Sequence, residues 1–159
     1  MKRYHSYNTS LVWTGNRGTG TSSYRAYDRS YDLSSPGKTT IAASADATFH
    51  GDAARWNPEE MLQAALSSCH LLSYLHLCAD AGLTVLTYTD NAEGSMRMNP
   101  DGSGQFTSVT LHPVVTIAAG QDIAFANALH HRAHELCFIA NSVNFPVACD
   151  ATTTHAAHV

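Results

Sequence analysis

The chain has 159 residues, of which 44% are hydrophobic and only 14% are charged, and its formal net charge is −4. The hydrophobic fraction excludes an intrinsically disordered chain, and the acidic balance disfavours nucleic-acid binding, which requires a basic surface. The length suits one domain spanning residues 1–159, and we expect loose termini over 1–8 and 150–159.

Residues 9–47 carry the signals of strands and turns. A glycine-rich segment predicts a β-hairpin that joins a strand at Leu11–Trp13 to a second strand over Ser23–Leu33. A third strand is predicted over Thr39–Ser44. The side chains that alternate along the second strand would share one face of the sheet: Arg25, Tyr27, Arg29 and Tyr31.

The segment Asn57-Pro58-Glu59-Glu60 predicts the start of a long helix. Asn is a favourable cap, Pro suits the first helical turn, and acidic side chains are stabilising near the positive end of the helix dipole. We expect the helix to run to about Ala81, where Gly82 would end it.

The run Met61–Ala79 carries no charge over 19 residues and is long enough to be tested as a membrane span. Its polar side chains exclude that interpretation: Gln63, Ser67, Ser68, His70, Ser73, Tyr74 and His76. The basic start of the chain is not followed by the apolar core of a signal peptide. We therefore expect a cytoplasmic protein whose long helix is buried in protein, with no membrane partner.

The second half of the chain predicts two strands, a helix and a last short strand. The two strands are expected over 83–89 and 105–117, and Pro113 would make the second of them an edge strand or a bulged one. A helix is predicted over 122–140, and Phe145-Pro146-Val147 leads to the last strand. Together these elements indicate one α+β domain.

Four cysteines are present, Cys69, Cys78, Cys137 and Cys149, and none forms a C-x-x-C pair, which excludes zinc ribbons and thioredoxin-like motifs. Cys69 and Cys78 would lie about 13.5 Å apart along one helix, beyond disulfide reach. An intramolecular partner of Cys69 must therefore be Cys137 or Cys149. Because Cys69 is several turns from the helix start, the helix dipole cannot ionise it, and a reactive thiolate there would need an arginine.

Three segments carry a family resemblance: Trp56–Leu62 (WNPEEML), Ala64–His70 (AALSSCH) and His134–Cys137 (HELC). In combination they resemble the OsmC/Ohr family of thiol peroxidases that reduce organic hydroperoxides, most clearly over residues 56–147. The resemblance implies an OsmC-like α+β fold in which antiparallel sheets pack on two central helices. It also implies an intertwined homodimer with active sites at the interface.

The resemblance assigns roles to three residues. Cys69 would be the peroxidatic cysteine, Cys137 the resolving cysteine, and Glu59 would orient an arginine. The separation of the two cysteines, 137 − 69 = 68 residues, is typical of the family. Cys78 and Cys149 match no motif and are interpreted as packing residues, and the role of His70 stays open. Many family members have Pro where this chain has Phe138.

Three arginines are candidates for activating Cys69. Arg17 looks like the hairpin arginine of the organic-hydroperoxide-resistance branch, Arg29 would point inward beside Tyr27, and Arg55 adjoins the helix start. Glu59 would lie about 15 Å from Cys69 of its own chain along a straight helix. Two helices that cross about a two-fold axis would instead bring Glu59 of one chain near Cys69 of the other.

No cofactor is expected, because the proposed chemistry needs only an external dithiol; the resemblance suggests one of the dihydrolipoyl type. No metal ligand is assigned, although a metal-binding protein is the alternative from another class. His130, His134 and Cys137 follow one another at i, i+4 and i+7 of the second helix and are credible zinc ligands. A further alternative is an OsmC-like protein that binds a hydrophobic small molecule and has little peroxidase activity.

Overall fold

The computed structural model describes residues 4–157, and the chain divides into two compact units. Three short strands form the sheet of the first unit, Met1–Met61. The strands are β1 (Ser10–Trp13), β2 (Tyr31–Ser34) and β3 (Ile41–Ala43), and they pair antiparallel in the order β1-β2-β3. A 3₁₀ turn over Ala47–Phe49 follows. The first and third predicted strands are confirmed.

The strand predicted over Ser23–Leu33 is wrong for most of its length, because only its end is extended and the preceding residues form turns. Backbone carbonyls in this segment accept hydrogen bonds from arginine and Trp13 side chains rather than from a neighbouring strand. For example, Trp13 Nε1 donates to Asp28 O at 2.9 Å. A Cβ atom on Gly15 would lie 1.9 Å from Asp28 O, so only glycine allows this close approach. The predicted alternation of Arg25, Tyr27, Arg29 and Tyr31 on one strand face is therefore also wrong.

The long helix α1 spans Pro58–Asp80, as predicted. Asn57 Oδ1 accepts from the backbone N–H of Glu60 at 2.8 Å, and Glu60 Oε2 accepts from the N–H of Asn57 at 3.2 Å. This reciprocal pair is a capping box. Gly82 ends the helix with a φ of 72°, and Leu83 N–H returns to Cys78 O at 2.8 Å.

The second unit, Leu62–Val159, contains two three-stranded sheets. In the first, of order β4-β7-β9, the strands are Val85–Asp90, Pro113–Ile117 and Thr152–His155. In the second, of order β5-β6-β8, they are Glu93–Met98, Gly104–Leu111 and Val147–Cys149. In each sheet the first pair is antiparallel and the second is parallel.

The strand predicted over 105–117 is in fact two strands, β6 and β7, which lie in different sheets. The backbone N–H of His112, between them, donates to Asp90 Oδ1 at 2.7 Å rather than to a strand neighbour. Pro113 is the first residue of β7, where a missing N–H is tolerated. β7 is thus the central strand of its sheet, so the prediction of an edge strand is wrong, while its pairing with β4 has a register shift between Val85 and Thr87, as a bulged pair would.

Two strands were not predicted. β5 is exposed at every position and has no apolar alternation to indicate it. β9 lies within the terminus that was expected to be loose, and it is held there by parallel pairing with β7, from Val114–Thr152 to Ile117–His155. That expectation is therefore wrong for residues 152–155; positions 1–3, 158 and 159 lie outside the described residues.

The second helix, α2, spans Ile123–Leu136 and begins at the Asp122 cap, whose Oδ1 accepts from Phe125 N–H at 3.1 Å. It ends earlier than the predicted residue 140 because Cys137 is extended, and a 3₁₀ turn over Ala140–Ser142 follows. Both helices contribute to a core cluster around Tyr74, while Leu66 of α1 packs with Val109 and Leu111 in a second cluster. The predicted α+β class, rich in antiparallel pairs and with two helices, is confirmed. Among residues 4–157 no helix combines the length and apolar character needed to cross a bilayer.

Candidate active site

The two cysteines of the predicted catalytic pair come together in the second unit. Cys69 lies in α1 and is half-buried, whereas Cys137 lies at the end of α2 and is 1% exposed. Their side chains are close enough for the Cys69 thiol to contribute to the pKa of Cys137. Both residues are free thiols. Of the two partners that helix geometry allowed for Cys69, the adjacent residue is thus Cys137.

The end of α2 determines the environment of Cys137. Its backbone N–H donates to His134 O at 3.2 Å, and its sulfur accepts from the N–H of Ala140 at 3.4 Å. The pKa of the Cys137 thiol is raised to about 11, chiefly by burial; the Ala140 N–H opposes this increase and the neighbouring Cys69 thiol adds to it. Cys137 is therefore protonated at neutral pH. Phe138, which replaces the family's proline, is exposed.

The two glutamates at the start of α1 have different environments. The carboxylate of Glu60 belongs to the capping box with Asn57. Glu59 is half-buried and does not take part in that cap. The pKa of Tyr31, a residue of β2 in the same unit, is raised mainly by burial of Tyr31 and secondly by the negative charge of Glu59. Capping therefore does not require Glu59, whose predicted role as an orienting residue is untested.

Arg29 contacts two tyrosines, Tyr24 and Tyr27, through both their backbone carbonyls and their aromatic rings. Its Nη1 donates to Tyr27 O at 2.7 Å and its Nη2 to Tyr24 O at 2.6 Å. The guanidinium carbon lies 4.4 Å from the ring centre of Tyr24 and 4.3 Å from that of Tyr27. The predicted proximity of Arg29 to Tyr27 is thus present, although it arises from a turn rather than from a strand.

The other two candidate arginines pair with carboxylates. Arg17 lies 3.7 Å from Asp28 and also donates to the carbonyls of Arg25 and Ala26. Arg55 lies 3.8 Å from Asp32 and 3.6 Å from Asp52. Within the described part of the chain, Arg29 is the one candidate of the three without a carboxylate inside ion-pair distance.

The three residues that the structure brings together as possible metal ligands are not the three that the sequence predicted. His130 meets His70 and Cys149, rather than His134 and Cys137, and this is the one convergent trio found in the part of the chain that the structure describes. The predicted trio is therefore wrong, because Cys137 lies beyond the end of α2 and beside Cys69. A signal for His70 existed: it occupies the fully buried face of α1, which repeats every four residues as Leu66, His70, Tyr74 and Cys78.

Comparisons with known proteins agree with this architecture. A family model described as OsmC-like protein matches residues 50–152. An OsmC-like protein of unknown function from Vibrio cholerae is 32% identical, with a TM-score of 0.85, over 94% of this chain and 100% of that one. A comparison with curated proteins finds no match.

Two more distant structures share the fold. An organic hydroperoxide resistance protein from Elizabethkingia anophelis, with thiocyanate bound, is 18% identical with a TM-score of 0.69, over 98% of this chain and 100% of that one. A putative organic hydroperoxide resistance protein from Vibrio cholerae, with captopril bound in one of its active sites, is 19% identical with a TM-score of 0.66, over 96% and 95% of the two chains. Because the family model matches more than half of this chain, over residues 50–152, the chain belongs to the OsmC-like protein family.

Proposed function

We propose that the protein is a thiol peroxidase that reduces organic hydroperoxides with Cys69 as the peroxidatic and Cys137 as the resolving cysteine. The observation that carries this proposal is the proximity of the two thiols, one from α1 and one from the end of α2. Proteins of the same fold that are named organic hydroperoxide resistance proteins support the substrate class.

The first step is attack of the Cys69 thiolate on the distal oxygen of the hydroperoxide. The O–O bond breaks, Cys69 becomes a sulfenic acid, and the departing alkoxide takes a proton to become an alcohol. An arginine stabilises both the thiolate and the charge that develops on the alkoxide. We assign this role to Arg29, because Arg17 and Arg55 are each partly neutralised by a carboxylate.

In the second step the Cys137 thiol condenses with the sulfenic acid, releasing water and forming a Cys69–Cys137 disulfide. An external dithiol then reduces this disulfide by exchange through a mixed disulfide. The raised pKa of Cys137, about 11, keeps it a thiol until the sulfenic acid forms beside it. Cys69 is thus the first residue to be oxidised.

A homodimer completes the proposal. Glu59 and Cys69 belong to one helix, ten positions apart, so Glu59 is about 15 Å along the axis from the thiol of its own chain. A second copy that crosses α1 would bring its Glu59 to the thiol, where it orients the arginine. Cytoplasmic location and a dihydrolipoyl-type reductant belong to the same proposal.

The test is peroxide treatment of the reduced protein followed by intact-mass measurement and peptide mapping. We expect one intramolecular disulfide between Cys69 and Cys137 after one equivalent of cumene hydroperoxide, and a trapped sulfenic acid at Cys69 in Cys137→Ser. Cys78→Ala is the matched control, because Cys78 is buried on another face of the same helix, and it should form the same disulfide. A dominant Cys69–Cys149 disulfide, or no oxidation of Cys69, would contradict the proposal.

A further inference from the structure

A second cluster of reactive side chains lies in the second unit and is not used by the proposed peroxidase chemistry. It consists of His70 on α1, His130 on α2 and Cys149 at the end of β8. His70 Nε2 lies 3.0 Å from His130 Nδ1 and 3.6 Å from Cys149 Sγ. The metal-binding atoms of all three residues lie within 4.8 Å of one another.

The two histidines are polar side chains buried in the protein core, where such residues are unusual. His70 is 1% exposed and His130 is 4% exposed, and His130 stacks on Tyr74 with ring centres 3.9 Å apart. The hydrogen bond between the rings satisfies one nitrogen of each. Within residues 4–157 His70 Nδ1 and His130 Nε2 have no hydrogen-bond partner. Apolar residues would pack here without that cost, which indicates a role beyond packing.

The electrostatic surroundings of the cluster favour a cation. The carboxylates of Asp90 and, to a smaller extent, Asp150 place negative charge near the Cys149 thiol. The same carboxylates attract a positive ion. Each imidazole turns one ring nitrogen to the other, Nε2 of His70 and Nδ1 of His130, and a neutral imidazole nitrogen is a common metal ligand.

We propose that His70, His130 and Cys149 form a binding site for one divalent transition-metal ion, of which zinc is the best match. Two imidazoles and one thiolate are ligands that zinc accepts, and three protein ligands leave the fourth tetrahedral position open. Such a site is distinct from the Cys69–Cys137 pair and depends on none of the residues assigned to the peroxidase reaction.

Two of the three separations between ligand atoms fit a tetrahedral ion after a small change, and the third is within 4.8 Å. Ordinary zinc–ligand bond lengths place imidazole nitrogen and thiolate sulfur about 3.6 Å apart and two nitrogens about 3.3 Å apart. The Cys149–His70 separation of 3.6 Å matches, and the His70–His130 separation of 3.0 Å has to widen slightly. The two rings are within 4° of parallel, so one of them has to turn for both lone pairs to meet at the ion. The ion replaces the hydrogen bond between the rings.

Charge and protons balance when the metal ion binds. Cys149 releases its thiol proton to solvent when the metal–sulfur bond forms, since a coordinating thiol is deprotonated. Each imidazole stays neutral and carries its proton on the nitrogen away from the ion, which is Nδ1 of His70 and Nε2 of His130. No electron transfer is involved.

A cavity of about 440 Å³ provides access to the cluster. His130 and Cys149 belong to its wall, together with His131, His134 and Asp150. The open position of the ion would face water or a small ligand in this cavity. The cavity thus supplies the entry path that a metal site requires.

The test uses the full-length protein, freed of metal with a chelator and kept reduced under anaerobic conditions, and titrated with Co²⁺. We expect one Co²⁺ per chain, with thiolate-to-cobalt charge-transfer absorption that excess Zn²⁺ displaces. Cys149→Ser should remove that absorption. His70→Gln should weaken binding by at least about tenfold, since loss of a supporting hydrogen bond alone costs that much at metal sites.

Matched controls locate the site. His76→Gln changes an exposed histidine of the same helix, and Cys78→Ala changes a neighbouring buried cysteine, so both should bind Co²⁺ as the unsubstituted protein does. Cys69→Ser should keep the charge-transfer absorption. The proposal is overturned if binding is not stoichiometric, if the absorption survives Cys149→Ser, or if it disappears in Cys69→Ser. Should His70→Gln fail to fold by circular dichroism, the half-buried Cys149 decides the matter alone.

Discussion

Asn57 and Glu60 hold the start of α1 by bonding each other's backbone: Asn57 Oδ1 lies 2.8 Å from the N–H of Glu60, and Glu60 Oε2 lies 3.2 Å from the N–H of Asn57. The arrangement separates two adjacent glutamates by task. Glu60 stabilises the start of the helix, whereas the carboxylate of Glu59 takes no part in the cap.

The first prediction follows from this division. Glu60→Ala should lower the free energy of unfolding by about 1 kcal/mol, because the capping box loses one of its two hydrogen bonds. Glu59→Gln should leave stability within about 0.5 kcal/mol and lower hydroperoxide turnover at least tenfold. Urea unfolding and steady-state peroxidase assays measure the two effects. Unchanged turnover in Glu59→Gln would show that this residue is only a helix-start charge.

The second prediction concerns the arginine. Arg29→Lys should lower turnover at least tenfold, because an ammonium group cannot reproduce both hydrogen bonds to the carbonyls of Tyr24 and Tyr27 and the stacking on their rings. Arg17→Lys and Arg55→Lys keep a charge beside Asp28 and beside Asp32, and we expect each to retain most of the activity. If Arg17→Lys were the most impaired of the three, the activating arginine would be Arg17.

The third prediction is a pH-dependent order of thiol reactivity. Iodoacetamide attacks thiolates, and the pKa values of Cys137 and Cys149 are raised to about 11, chiefly by burial. At about pH 8 we therefore expect Cys69 to be alkylated first, with labelling of Cys137 and Cys149 increasing steeply as the pH rises toward their pKa. Peptide mapping at a series of pH values measures the order. Equal early labelling of Cys137 would contradict the assigned roles.

The fourth prediction concerns acid stability of the metal-free protein. Burial lowers the pKa of His70 and of His130 from 6.5 to about 4, so between these values the unfolded chain binds more protons than the folded one. The stabilisation is complete above about pH 6.5 and is lost as the pH falls through 4, by an amount on the order of 3 kcal/mol for each histidine. Chemical denaturation across this range measures it. His70→Gln should flatten the slope, and His76→Gln should not.

Local chemistry made α1 predictable at both ends, whereas the pairing of Cys69 with Cys137 was expected from a family resemblance and not from neighbouring residues. The cap at Asn57 and the stop at Gly82 depend on neighbours within one turn, so the bounds of α1 follow from the sequence. Elements that depend on distant partners do not. β5 has no buried face, and β9 exists because β7 offers it an edge. His70 is buried as its helical spacing indicates, but nothing near it in the sequence points to Cys149, which lies 79 positions away.

The parallel pairing of β7 and β9 has a consequence for synthesis on the ribosome. The pair Val114–Thr152 joins residues 152 − 114 = 38 positions apart, so β7 is made well before the strand that covers its second edge. During that interval β7 presents an open row of backbone donors and acceptors, with Val115 and Ile117 among its side chains. Such an edge can pair with another chain. Slower translation between these two strands would therefore extend the period in which the nascent protein is prone to aggregate.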